Sequence, residues 1–202
     1  MASKPFPFRP FGACLAAALA VSTAQPVRAE DETVTWKQDV RGWYIGVDRT
    51  TDDGCFMVTS YDGGALLRAQ FFPQDGDFGL MVGNADWRSI EGEKLYDVSL
   101  QFGNRAPWTG NARGLWIGNI PFLVVDVPFE GDKANKFIDE FMRMTVVNFT
   151  YQGDSIARLK LTGTYVAMQE TMDCQIQMFD AGTGGDPFRN KRNSGSGADP
   201  FQ

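Results

Sequence analysis

Histidine is absent from this 202-residue chain, and that single gap removes much catalytic chemistry. Ser-His-Asp and Cys-His nucleophilic sites, imidazole zinc ligation and ordinary haem attachment all need the missing ring. Cysteine is almost as scarce: Cys14, Cys55 and Cys174 are the three present. No apolar run approaches the roughly 20 residues that a membrane-spanning helix needs. Basic residues are also outnumbered, with 19 Lys+Arg against 25 Asp+Glu. Carboxylate, Lys, Ser/Thr or Tyr chemistry is what remains, and no cofactor motif accompanies it.

What is present begins with an export signal. Lys4 and Arg9 precede an apolar Ala/Leu-rich run from Phe11 to Val21, and Val27-Arg28-Ala29 closes the segment. A short basic region, a run of about a dozen apolar residues and a small-x-Ala end form a secretory signal peptide over residues 1–29. Cleavage is expected after Ala29, with Ala24 as the second site. Cys14 leaves with the leader. Cys55 and Cys174 then remain as the pair expected to form a disulfide in an oxidising compartment, two separate buried thiols being the alternative. Losing Lys4, Arg9 and Arg28 leaves 16 basic against 25 acidic residues, a net charge of −9. That balance argues against nucleic-acid binding and against adhesion to anionic membranes.

Residues 30–180 read as one mainly β domain. Asp53-Gly54, Asp62-Gly63-Gly64, Asp75-Gly76 and Gly153-Asp154 separate short apolar segments in the manner of hairpin turns. Strands are expected near 41–47, 55–60, 65–72, 78–83, 94–102, 113–118, 122–127, 145–151 and 155–161. Tyr96, Val98, Leu100 and Phe102 alternate with Leu95, Asp97, Ser99 and Gln101, as a half-buried antiparallel strand requires. The spacing predicts an antiparallel β-sandwich or partly open barrel. One amphipathic helix is expected over 133–144, capped by Asp132, with Ala134, Phe137, Ile138 and Phe141 on one stripe and Asp139, Glu140 and Arg143 off it. A short C-terminal helix, 165–173 with Thr164 as cap, leads to Cys174. Residues 181–202 are expected to be a disordered tail rich in Gly, Asn, Ser and Lys.

Candidate sites are few. Asp52/Asp53, Asp75/Asp77 and Glu91/Glu93 are carboxylate pairs of the kind a hydrolase uses, but each sits beside Gly in a predicted turn, where Asp suits the backbone. No catalytic residue and no metal site is assigned. Trp43 and Trp87 read as core. Trp108 and Trp116, with Arg105 and Arg113 among Gly110, Gly114 and Gly118, form a possible binding face for a sugar or protein. In the tail, Asp186-Pro187-Phe188 recurs as Asp199-Pro200-Phe201, so Phe188 and Phe201 are possible docking anchors.

The layout Gly42-Trp43, Gly54-Cys55, Asn84-Ala85-Asp86-Trp87 and Leu159-Lys160-Leu161-Thr162-Gly163-Thr164, leading to Ala167 and Cys174, resembles small exported proteins of Gram-negative bacteria common among alphaproteobacteria. More loosely it is similar to the invasion-associated locus B group. The likeness spans about residues 36–176. It implies a β-rich, non-enzymatic protein of the periplasm or the medium and brings no active-site residues with it. The expected role is therefore binding or structural. The partner would be a protein or another component of the cell envelope, with no membrane span in the mature chain. A secreted interaction or virulence factor docking through its tail and a carboxylate-dependent hydrolase are the alternatives.

Overall fold

The computed structural model describes residues 32–129 and 131–183, the side chains of 181–183 excepted. The expected leader, 1–29, and residues 184–202 with both Asp-Pro-Phe triplets lie outside them. Ten strands appear where nine were expected: β1 (Thr33–Val40), β2 (Trp43–Asp48), β3 (Gly54–Ser60), β4 (Ala65–Phe72), β5 (Asp77–Asn84), β6 (Leu95–Phe102), β7 (Trp108–Ile117), β8 (Ile120–Pro128), β9 (Val146–Tyr151) and β10 (Asp154–Lys160). Two helices, α1 (Asp132–Arg143) and α2 (Thr164–Thr183), complete the fold.

The strands form one antiparallel sheet in the order β1-β2-β3-β4-β5-β8-β7-β6-β9-β10, whose edges do not pair with each other. The sheet is therefore open, and it is curled. Phe141 of α1 makes ring contacts with Trp43 on β2, Phe78 on β5 and Phe102 on β6, strands far apart in the order. The chain leaving β10 returns to the beginning of the sheet without a strand ladder. Trp43 Nε1 donates to the Thr162 carbonyl at 2.9 Å, and the Tyr61 hydroxyl donates to the Lys160 carbonyl at 2.6 Å. Gly163, at φ +78°, lies so close to Arg41 that a Cβ would stand 2.7 Å from its carbonyl oxygen. Only glycine meets both demands there.

Alternation sorts the sheet into two faces. The inner face carries Trp43, Ile45, Met57, Leu67, Phe78, Leu80, Leu100, Phe102 and Phe149, all buried in one core cluster with Phe137 and Phe141 of α1 and Ala167 and Met168 of α2. α1 follows its expected stripe, with Phe141 fully buried and Asp139 exposed. Two details differ. Gly131 occupies the N-cap and Asp132 is the first helical residue. Glu140 is buried, because its carboxylate accepts from Trp108 Nε1 at 2.7 Å. Trp43 is buried as expected, whereas Trp87 is half-buried at the margin of the core.

The outer face has its own packing. Met81, Phe122 and Val124 are buried among Leu66, Phe72, Leu115, Ile117 and Ile120. The Phe122 ring lies over its cross-strand partner Gly83, Phe56 over Gly46, and Phe72 over Gly79. A ring laid flat on a glycine shields backbone that has no side chain of its own. Beside them the Arg68 guanidinium stacks 3.6 Å over Phe56 and pairs with Asp48 at 2.6 Å.

Two expected boundaries moved. β7 begins at Trp108 rather than 113, since its polar residues Thr109 to Asn111 pair in register with β6. α2 runs to Thr183 rather than ending at 173, because no helix breaker intervenes before Gly182. Thr164 does not cap it through its side chain. Its hydroxyl donates backwards to the Leu161 carbonyl, while the Gly163 carbonyl accepts the Ala167 N–H.

Candidate functional site

α2 lies along the inner faces of β1, β2 and β3, and a disulfide and a hydrogen bond fix its middle to β3. Cys174 is disulfide-bonded to Cys55 of β3, with Cα atoms 6.1 Å apart and a sequence separation of 119. The next residue, Gln175, is buried and accepts the Cys55 backbone N–H on Oε1 at 2.8 Å. Closing so long a loop contributes on the order of 5 kcal/mol through the unfolded chain.

This anchoring presents Met172, Ile176 and Phe179, spaced as one face of a helix, to the turn between β4 and β5. That turn is tight: Gly76 N–H donates to the Phe72 carbonyl at 2.9 Å, and the Gly76 carbonyl accepts the Phe129 N–H at 2.9 Å. The second bond brings Phe129 beside Phe71, ring centroids 5.4 Å apart. Between helix and turn lies a groove of about 410 Å³, walled by Phe71, Phe72, Phe129, Met172, Ile176 and Phe179. Ile176, Phe179 and Phe129 are each about half exposed, at 57%, 52% and 46%. A volume of this size suits a bulky apolar group.

The groove's polar atoms are few. Gln175 is committed to Cys55, and Asp77 stands at the rim. On the outer face next to that rim, Asp126 Oδ2 accepts from Arg113 at 3.3 Å, while Oδ1 is buried with no hydrogen-bond partner among the described residues. Burial pushes the Asp126 carboxyl above the usual aspartate range. Arg113 opposes the shift, and the neighbouring negative charges of Asp77 and Asp75 reinforce it. The rim is thus acidic, and the walls are hydrocarbon. Such a surface is complementary to an apolar group that carries a neighbouring positive charge.

The four residues read as a binding face do not share one surface. Trp108 and Trp116 stand eight residues apart on β7, about 26 Å along an extended strand. Trp108 packs inward on Phe137 with its N–H on Glu140. Trp116, 42% exposed, donates to the Ile90 carbonyl at 3.1 Å. Arg113 projects from the opposite face into pairs with Glu93 and Asp126. Arg105 is exposed after β6, where its carbonyl accepts from Gln101. Strand alternation separates what sequence proximity suggested. Of the carboxylate pairs, Asp52 and Asp53 both adopt left-handed backbone after a 3₁₀ turn at Arg49–Thr51, and Glu91 and Glu93 engage Lys94 and Arg113. Among the described residues no group of three or more His, Cys, Asp or Glu is placed to hold a metal ion, and no helix is long and apolar enough to cross a membrane.

The groove was missed because the second helix was expected to stop before Cys174. Met168, Met172, Ile176 and Phe179 repeat at helical spacing across that cysteine, and this was the available signal. No protein-family model matches the chain, and comparison with curated proteins and with solved structures likewise returns no match.

Proposed function

We propose that this is a non-catalytic binding or structural protein of the Gram-negative cell envelope, periplasmic or secreted, that engages an envelope protein through the groove beside its disulfide. The observation that carries the reading is the groove itself: half-exposed Ile176, Phe179 and Phe129 around a space of about 410 Å³. Apolar surface concentrated in one concave place marks an interaction site. The acidic rim at Asp75, Asp77 and Asp126 favours a segment that offers an apolar side chain next to basic ones. The leader-like residues 1–29, the Cys55–Cys174 bridge and the resemblance to small exported proteins support the compartment.

The test joins location to site. The exported chain should have an intact mass that begins at Glu30. With a photo-crosslinker at position 129 in living cells, one envelope protein should be captured in the periplasmic or secreted fraction. Ile176→Asp should abolish that product and Trp116→Ala should leave it unchanged. A chain retained in the cytoplasm with Met1 in place would overturn the compartment. Capture indifferent to Ile176→Asp would overturn the site.

A further inference from the structure

The groove and the chain's own continuation carry matching chemistry. α2 leaves the described residues at Thr183, and the sequence proceeds Gly184-Gly185-Asp186-Pro187-Phe188-Arg189-Asn190-Lys191-Arg192. It offers one aromatic residue followed within four positions by three cations. The groove offers apolar walls with Asp77 on its rim and Asp75 and Asp126 beside it.

The lengths agree as well. Thr183 lies seven residues beyond Ile176, about 10 Å along a helix. Phe188 lies five residues beyond Thr183, and five extended residues span up to about 17 Å. The path requires a reversal at the helix end, and Gly184-Gly185 supplies the residues that turn a chain there at least cost. Pro187 narrows the conformations that must be given up on docking.

We propose that residues 186–192 fold back on their own molecule, placing Phe188 in the groove against Phe71, Phe129 and Ile176 and the cations Arg189, Lys191 and Arg192 along the Asp75, Asp77 and Asp126 rim. Phe201, in the second triplet, is the weaker candidate. Its tether from Thr183 is 18 residues rather than five, which lowers its effective concentration roughly sevenfold. An outside partner then competes with this tethered segment for the groove. This inference rests on the groove being the binding surface, yet its test needs no partner.

The test uses the full mature chain, isotopically labelled, with Phe188→Ala and Phe201→Ala compared by backbone amide shifts and by binding of 1-anilinonaphthalene-8-sulfonate, an anionic dye whose aryl rings enter exposed apolar surface. Phe188→Ala should move the amides of Gly76, Gln175 and Ile176 and raise dye binding about tenfold, the equivalent of losing the burial of one Phe side chain. Phe201→Ala should do neither. Shifts in Phe188→Ala that appear only at high protein concentration would assign the segment to a second copy and overturn folding back within one molecule. Groove amides and dye binding unchanged by Phe188→Ala would overturn the proposal outright. Neither of those results bears on capture of an envelope protein at position 129.

Discussion

The inner and outer faces of the curled sheet are both buried at their centres, but by different means. On the inner face two helices supply the cover, and Phe137, Phe141, Ala167 and Met168 meet side chains from strands throughout the sheet. On the outer face no second layer of secondary structure is present among the described residues. There the strands cover themselves, with Phe56, Phe72 and Phe122 lying over glycines of neighbouring strands and Arg68 stacked on Phe56. The difference teaches how an open ten-stranded sheet avoids needing a partner sheet: rings and a guanidinium are laid flat instead of standing upright. It also divides chemistry. The buried Arg68 and the half-buried Asp126 belong to the outer face, whereas the inner face is hydrocarbon apart from points such as Glu140.

The sharpest way to break the inner face is Phe141→Ala. The ring is fully buried against Trp43, Phe78 and Phe102, so its loss should cost about 3–5 kcal/mol, read as a lowered denaturant midpoint. On the outer face Gly83→Ala tests the flat packing. A Cβ there would stand 2.5 Å from the Phe122 ring, and the forced displacement should cost about 1–3 kcal/mol. A neutral Gly83→Ala would show that the rings are loosely held and that the two faces differ less than described.

The smallest effect separates the faces by charge. Burial raises the Asp126 carboxyl above its ordinary value, so the folded state binds its proton more tightly than the unfolded state does. The associated stability is present in full below the unfolded value and is lost as pH rises through the raised one. Asp126→Asn should therefore flatten the loss of stability as pH rises above the ordinary aspartate range, measured by denaturation at fixed pH steps. Phe141→Ala should lower stability by a similar amount at each of those pH values, since no titrating group is removed.

The inner face was legible in the sequence because its residues obey a period of two. Tyr96 to Phe102 point inward at alternate positions as the pattern required. The outer face was less so. Phe122, Leu123, Val124 and Val125 form an unbroken apolar run, which says that both sides of β8 are buried but not what lies over them. β1 went unread because it is an edge strand whose residues are mostly exposed, leaving no apolar alternation to detect. The groove draws on Phe71 and Phe72, Phe129, and Met172 to Phe179, three stretches whose meeting depends on the disulfide and on one hydrogen bond at Gly76. Pairing of Cys55 with Cys174 could be expected by elimination. The surface that this pairing creates could not, because it depends on which way Ile176 faces.

The bond between Cys55 and Cys174 also sets an order of assembly. β1, β2 and β3 emerge from the ribosome well before the helix that covers their inner faces. These strands therefore spend the whole of emergence with an apolar side uncovered and one thiol unpaired. Contacts of such long sequence separation slow folding and lengthen exposure to wrong partners. The inner face can be covered only after α2 has arrived, so this architecture delays complete folding until the chain has been made through Cys174.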